Sequence, residues 1–471
     1  MRRSCLLIGS VVMAGLSPAS LSAGDALSVA VERSMRLYGP TLRAARIALE
    51  TEDGKRAEVV FPGLVVSPTG MVMVAVSDEL MSYPRGYFRT FELIRPGEDG
   101  RPEPARLIAT NDLFNLLFVE PQPPAASQPF VAFNDAVEVP DAAQPLICIG
   151  LLDRSLGYRP TFEIGRVGAA IGSDEFTISG LPTDATGTLL LSADGRVVGV
   201  SRPSTLTTPE DFLADIGPSG GGFIVQPRGT RASAVAPAVE FAVRERCDRP
   251  EPWIGVAGLQ VAPAEVCEAF GLERDIVAII VGATVDNYPA AKAGIRAKDF
   301  IIGFDGSPLR RGATEDETLT LWTRSVRQKR VGDEAVVDIW RDRKRQAFTL
   351  QLTESPLSDT KAPRAFNAVL GLAVRDLVFR DRFERRLDPS VRGVVVAHLV
   401  QSGPAETAEL REGDVVQRID ERSITDVGSF RRIVEEKLAE KPSDLVFSVL
   451  RGRSQQVILR VELHAGRGDG P

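Results

Sequence analysis

Two stretches of this chain decide its fold, PAAKAGIRAKDFIIGFD at Pro289–Asp305 and PAETAELREGDVVQRID at Pro404–Asp420. They match without a gap at an offset of 115 residues. Upstream, WIGV at Trp253–Val256 corresponds to VLGL at Val369–Leu372. Solenoid repeats span about 20–50 residues, so two copies of about 100 residues each indicate a duplicated domain rather than a solenoid.

Each copy has the pattern strand, short helix, strand, amphipathic helix and closing hairpin. The proline that opens each matching stretch favours a helix start, because proline fits the first helical turn. Apolar residues at helical spacing in 317–326 and 428–438 predict the amphipathic helices. Alternating apolar residues in 335–352 and 445–461, each run interrupted by a turn, predict the hairpins.

Residues 24–246 have a different pattern, with short apolar strands, many Gly and Pro turns and few helical patterns. This pattern is typical of an all-β fold. A proline-rich stretch at 121–129 divides the segment as an extended linker would, so we predict two β-barrels in tandem. The predicted domains are a signal peptide at 1–23, the double barrel at 24–246, a first repeat at 250–356, a second repeat at 364–464 and a flexible tail at 465–471.

The composition is that of an exported globular protein. With 471 residues, 44% hydrophobic and 25% charged, the chain is long enough for several domains. Its net charge of −7, with both signs interspersed, argues against a nucleic-acid partner, which requires a basic face. Arg2 and Arg3 precede an apolar run shorter than the roughly 20 residues of a membrane span. This run predicts a bacterial-type signal peptide, a periplasmic or secreted location and no transmembrane segment.

The cysteines suggest no metal or cofactor. Cys148 lies in an apolar run and is predicted to be a buried free thiol. Cys247 and Cys267 flank a domain boundary, where an oxidising compartment would permit a disulfide, and the sequence leaves their pairing open. No CxxC motif and no cluster of His and Cys indicates a metal site.

The residues quoted from the two repeats resemble the PDZ domains of the HtrA/Deg family, which are exported serine proteases of the trypsin-like class. In that family a chymotrypsin-like double β-barrel is followed by one or two PDZ domains. The resemblance therefore implies a mainly β fold, a chymotrypsin-like double β-barrel followed by two PDZ domains, each a small β-barrel or sandwich with two helices. It also implies a possible homotrimer formed through the barrels.

The same resemblance assigns the positions of a catalytic His, Asp and Ser. The run that begins at Gly63 places Ser77 at the histidine position. Asn115 takes the aspartate position, and Asp112 is the alternative if the alignment shifts. Counting back from the Asp-Gly turn at 194–195, the serine position is Thr186. The three positions thus have substituted residues.

The histidine content gives an argument that is independent of the alignment. A hydroxyl is a poor nucleophile unless a neighbouring base takes its proton, and histidine does so because its pKa lies near neutrality. The chain has two histidines, His398 and His464, and both lie in the second repeat. We therefore predict a pseudoprotease that is not an enzyme.

The predicted binding sites lie in the repeats. A PDZ domain adds an extended peptide to a sheet edge, and a loop of backbone N–H groups holds the terminal carboxylate. The resemblance assigns this loop to Trp253, Ile254, Gly255 and Val256 in the first repeat and to Val369, Leu370, Gly371 and Leu372 in the second. Two alternatives stay open: the protein's own chain occupies one or both grooves, or the repeats only pack structurally.

The leading hypothesis is therefore an adaptor or chaperone in protein quality control. It would bind the C-termini or unfolded segments of exported proteins through its PDZ grooves. One alternative is an active serine-type endopeptidase with a non-standard site, and another is a structural envelope protein. The sequence identifies neither the peptide ligand nor the repeat that binds it.

Overall fold

The computed structural model describes residues 23–51, 56–97, 101–171, 174–182, 186–202, 227–312 and 314–463. Nearly all of the predicted signal peptide, the predicted tail at 465–471 and His464 lie outside these ranges. Within them the chain forms two closed barrels followed by two smaller β domains with helices.

The first barrel closes in the strand order β1-β2-β3-β6-β5-β4, with every pair antiparallel. A long helix, α1 (Ala23–Tyr38), precedes it, and a short one, α2 (Asp78–Ser82), follows the third strand. The strands are β1 Leu42–Glu50, β2 Arg56–Val65, β3 Val72–Ala75, β4 Phe88–Ile94, β5 Glu103–Asn111 and β6 Leu116–Pro121.

The second barrel closes in the order β10-β11-β12-β9-β8-β7, and α3 (Ala232–Glu245) follows it. Its strands are β7 Pro145–Leu151, β8 Pro160–Ile171, β9 Glu175–Ser179, β10 Leu189–Ser192, β11 Val197–Arg202 and β12 Arg228–Arg231. Three single 3₁₀ turns in the double barrel are Gly39–Thr41, Arg85–Tyr87 and Arg154–Leu156.

Strands that are buried on both faces form the seam between the barrels. In β3, Val72 and Val74 fill the interior of the first barrel, whereas Met73 lies in the core that the barrels share. In β10, Leu190 fills the second barrel while Leu189 and Leu191 face the same shared core. Side chains alternate along a strand, so a strand with two buried faces reads as a continuous apolar run.

The first repeat contains a sheet in the order β15-β16-β18-β20-β21, with β19 beside β18, and two short pairs, β13 with β22 and β14 with β17. The strands are β13 Pro252–Trp253, β14 Val256–Ala257, β15 Gln260–Val261, β16 Ile279–Ile280, β17 Ala283–Thr284, β18 Phe300–Phe304, β19 Ser307–Pro308, β20 Glu334–Arg341, β21 Lys344–Gln351 and β22 Thr353–Glu354. The helices are α4 Ala264–Ala269, α5 Pro289–Ala293 and α6 Glu315–Gln328.

The second repeat has one sheet in the order β23-β24-β25-β26-β28-β29, with β27 beside β26. The strands are β23 Arg364–Asn367, β24 Leu372–Asp376, β25 Val394–Leu399, β26 Val415–Ile419, β27 Arg422–Ser423, β28 Asp444–Arg451 and β29 Gln455–Glu462. The helices are α7 Phe379–Arg385, α8 Pro404–Thr407 and α9 Val427–Ala439.

The predicted fold class, a mainly β double barrel followed by PDZ-type domains, is confirmed. The amphipathic helices are α6 and α9, and the closing hairpins are β20–β21 and β28–β29. The sequence pattern did not predict the three helices of the double-barrel segment, the long helices α1 and α3 and the short helix α2. In α3 the buried residues Val235, Val239 and Ala242 do have helical spacing, but Pro237 within the helix disfavours that interpretation.

Ion pairs and rings join the four units. The buried carboxylate of Glu175 in the second barrel contacts Arg324 of α6 at 3.2 Å. The ring of Trp253 in the first repeat lies 5.5 Å from that of Phe379 in α7 of the second repeat, in a T-shaped contact. The side chain of Lys361, between the repeats, reaches the first barrel.

Candidate functional site

The three predicted triad positions lie together at the seam of the barrels. Ser77 lies two residues after the end of β3, and Asn115 directly precedes β6. The N–H of Val76 donates to the carbonyl oxygen of Asn115 at 2.9 Å, which ties these two chain segments together. From the second barrel, the hydroxyl of Thr186 donates to the carbonyl oxygen of Ala75 at 3.5 Å.

The side chains at the first two positions have structural contacts. Ser77 caps α2, because its hydroxyl accepts the N–H of Leu80 at 3.2 Å. Asn115 is buried and its φ of +51° lies in the left-handed region, which asparagine tolerates better than most residues. Asp112, the alternative at this position, forms an ion pair of 2.7 Å with Lys361 instead.

A glycine fixes the approach of Thr186 to the first barrel. Gly187 has φ +62°, and a Cβ at this position would lie 2.6 Å from the carbonyl oxygen of Pro62 in β2. Its N–H donates to the carbonyl oxygen of Ser201 at 3.1 Å. Only glycine permits this backbone conformation together with such close contact between the barrels.

A cavity of about 620 Å³ opens beside Thr186 between the two barrels. Its lining is mostly apolar and includes two carboxylates and one guanidinium, those of Asp153, Glu163 and Arg154. A cleft of this size and character can accept an apolar side chain of an extended peptide. Its lining residues include Val60, Phe61, Leu151, Leu181, Asp153 and Glu163.

Cys148 also lines this cavity, but its thiol is not a nucleophile. Burial raises its pKa to about 12, so almost none of it is thiolate at neutral pH. The prediction of a buried free thiol is confirmed. Cys247 and Cys267 are both free in the structure, so they form no disulfide with each other.

The predicted peptide-binding loops have the same backbone geometry in the two repeats. In the first, the N–H groups of Val285 and Ala290 donate to the carbonyl oxygens of Gly255 and Ile254 at 2.9 and 2.7 Å. The corresponding donors in the second repeat, Val400 and Ala405, bond the carbonyl oxygens of Gly371 and Leu370 at 2.9 and 3.0 Å. Both glycines have positive φ, +84° and +61°, which explains why glycine occupies this turn.

The side chains around the two loops differ. Trp253 packs edge-on against Tyr288 at 4.9 Å and also against Phe379 of the second repeat. Its counterpart Val369 is 54% exposed. No local sequence pattern predicts the contact with Phe379, because the two rings come from separate domains.

The described residues contain no group of three or more His, Cys, Asp and Glu side chains that could hold a metal ion. Of the helices in this part of the chain, none is long and apolar enough to cross a membrane. His398 lies in β25 of the second repeat, with its Nδ1 3.4 Å from a carboxylate oxygen of Glu412.

Comparisons with known proteins support the assignment of a PDZ domain and find periplasmic serine endoproteases among the relatives. A family model described as "PDZ domain" matches residues 368–462. A probable periplasmic serine endoprotease DegP-like of Pseudomonas fulva is 28% identical over 52% of this chain and 48% of its own length. The periplasmic pH-dependent serine endoprotease DegQ of Escherichia coli is 24% identical over 77% of this chain and 73% of its own length.

The extent of these matches varies. The chain spans about half the length or less of the first curated relatives that it matches. A solved structure, the HtrA-type protease AlgW with decapeptide, covers 70% of this chain at 15% identity and a TM-score of 0.46. The word periplasmic in the relatives' names agrees with the predicted export.

One prediction is corrected by these relatives. We predicted from the sequence that the chain is not an enzyme, whereas the relatives that it matches are named serine endoproteases. The prediction rested on the missing histidine. The absence of histidine before residue 398 is compatible with a hydroxyl nucleophile that is assisted by another base.

Proposed function

We propose that this chain, an HtrA-like protein with two β-barrels followed by a PDZ domain, binds extended peptides of exported proteins in the periplasm, C-termini above all. The proposal includes a role as adaptor or chaperone in protein quality control. It is supported chiefly by the loops at Gly255 and Gly371. Each places a glycine of positive φ at the start of a strand, where a PDZ domain holds a terminal carboxylate.

The carboxylate is the feature that distinguishes this mode of binding. Hydrogen bonds from backbone N–H groups to a charged acceptor are worth about 1.5–3 kcal/mol more than no bond, so the free acid should be preferred over its amide. A preference of about tenfold corresponds to about 1.4 kcal/mol, which is just below this range.

The test compares pairs of peptides that differ only at the C-terminus and requires no variant of the protein. The full chain is titrated by fluorescence anisotropy with a library of decapeptides, each synthesised as the free acid and as the C-terminal amide. We expect a subset of free acids to bind at least about tenfold more tightly than their amides. A library in which neither form binds would refute the proposal.

The second candidate function is that of an endopeptidase, which the names of the relatives favour. The hydroxyl of Thr186 and the adjacent apolar cavity are where such chemistry would take place. Digestion of casein by the full chain, compared with Thr186→Ala, tests this candidate. Cleavage that Thr186→Ala abolishes would establish it, and the absence of cleavage in both would reject it.

The oligomeric state is a separate proposal. The resemblance to HtrA proteins implies a homotrimer, and sedimentation equilibrium of the full chain measures it directly. A mass of one chain or of two would reject the trimer.

A further inference from the structure

The strand that leads into the carboxylate-binding loop pairs with a different partner in each repeat. In the first repeat, β13 pairs with β22 near the end of the domain. In the second repeat, β23 instead folds back through residues 368–371 and pairs antiparallel with β24. The strand that follows the loop in the first repeat, β14, has only β17 as a sheet partner among the described residues.

Strand β23 occupies the place of a PDZ ligand. A ligand of this kind is an extended peptide that lies antiparallel on the strand after the loop, with its C-terminal end at the loop. In β23, Asn367 lies nearest the loop and Arg364 lies farthest from it, in register with Leu372 and Arg375 of β24.

The helix α9 forms the other wall of this groove. Strand β23 lies beside α9, and the guanidinium of Arg431 donates to the carbonyl oxygen of Arg364 at 3.4 Å. Ala365 is 7% exposed and belongs to the core that includes Phe430 of α9, whereas Phe366 is 39% exposed. One side chain of the strand thus points into the groove and the next points outward, as they would in a bound peptide.

The N–H groups of the loop already have acceptors. The N–H of Leu370 donates to Oδ1 of Asn367 at 3.0 Å, and the N–H of Gly371 donates to the carbonyl oxygen of Ala368 at 3.3 Å. These two donors belong to the loop that would hold the carboxylate of a ligand. The side-chain oxygen of Asn367 therefore stands where a carboxylate oxygen would be accepted.

From these contacts we infer that the second repeat carries an internal ligand, Arg364–Asn367, so that an external peptide enters this groove only by displacing β23. The inference rests on the proposed function, because it describes how peptide binding by the second repeat is regulated. The short connection 368–371 gives β23 an effective concentration on the order of millimolar at the groove. The apparent Kd of a competing peptide is then its intrinsic Kd divided by the fraction of molecules whose groove is open.

The internal ligand is also anchored at its upstream side. The Nζ atom of Lys361, three residues before β23, lies 2.7 Å from a carboxylate oxygen of Asp112 and 3.3 Å from one of Glu251. The carbonyl oxygen of Thr360 accepts the N–H of Arg85 in the first barrel at 3.3 Å. Displacement of β23 would therefore pull on a segment that is held by the first barrel at Asp112, three residues before the predicted triad position Asn115.

Hydrogen–deuterium exchange of the full chain tests whether β23 is in place. We expect the backbone amides of 364–367 to exchange slowly in the wild type, at rates comparable with those of β24. Exchange at the rate of an unstructured peptide would overturn the inference. This measurement requires no ligand, so its outcome is separate from that of the peptide library.

A pair of variants then opens the groove and provides its control. Ala365→Arg places a long charged side chain in the buried position, whereas Phe366→Arg places it at the exposed position next to it. We expect Ala365→Arg to lose the protection of 364–367 and to bind the free peptide KAPRAFN, the sequence of Lys361–Asn367, at least about tenfold more tightly than the wild type. Phe366→Arg should match the wild type in both measurements.

A third variant keeps the test decisive if Ala365→Arg does not fold. Phe366→Cys with Ala373→Cys, in a Cys247→Ser background, permits a disulfide across directly opposite residues of β23 and β24. The oxidised form should bind no KAPRAFN in the second repeat, and reduction should restore binding. Equal binding by both forms would overturn the inference. If residues 364–367 exchange slowly but no variant binds peptide, the proposed function of this repeat is refuted. The placement of β23 in the groove would still be supported by that result.

Discussion

A substitution in the ion pair between Glu120 and Arg246 tests whether this pair holds the first barrel to α3, the helix that leads into the first repeat. Glu120 is 0% exposed and pairs with Arg246, the residue at the C-terminal end of α3. We predict that Arg246→Met lowers the free energy of unfolding by roughly 3 kcal/mol, because it removes the main partner of a buried charge and leaves only the more distant Thr69 and Arg106, at 3.3 and 3.8 Å. In a unit of about 200 residues this loss lowers Tm by roughly 6–12 °C in a calorimetric scan at neutral pH.

The pH dependence and a matched control sharpen this prediction. The hydrogen bond from Arg246 lowers the pKa of Glu120, so the pair stabilises the fold above about pH 4.3 and loses this effect as the pH falls through the folded pKa. The difference in Tm between wild type and variant should therefore become smaller as the pH falls below about 4.3. Arg106→Met removes a half-exposed arginine 3.8 Å from the same carboxylate and should cost less than about 1 kcal/mol. A Tm of Arg246→Met within about 1 °C of the wild type at neutral pH would refute the reasoning.

Three further predictions concern other parts of the molecule. Arg324→Met removes a contact of α6 with the second barrel, and we expect trypsin to separate the barrels from the repeats several-fold faster, as seen by gel electrophoresis. Gly187→Ala should cost roughly 2–4 kcal/mol in thermal unfolding, because it combines a positive φ with a collision at the seam, whereas Gly157→Ala, with a similar φ of +66° and open space around it, should cost roughly 1–2 kcal/mol. The exposed Cys247 should react with Ellman's reagent in the native protein, and Cys148 only after unfolding, because burial raises its pKa to about 12.

The sequence alone predicted the features that depend on local periodicity. The helices α6 and α9 and the two closing hairpins follow from the spacing of apolar residues, which is set by the face that each element buries. The offset of 115 residues predicted two domains of one architecture, and equivalent hydrogen bonds in the two loops agree with it. The positions of Ser77, Asn115 and Thr186 came from a colinear resemblance, and the structure brings all three to one seam.

Other features were decided only by the tertiary structure, because they depend on partners that are distant along the chain. The carboxylate of Asp112 is an ordinary loop residue until the fold places Lys361 beside it, 249 positions later. Strand β13 ends on the first residue of its loop and β23 ends at Asn367, just before the equivalent loop, yet one strand pairs with the end of its domain and the other with its immediate neighbour. Strand pairing is chosen among all sheet edges that the fold leaves available, so a short strand does not determine its partner by its own sequence.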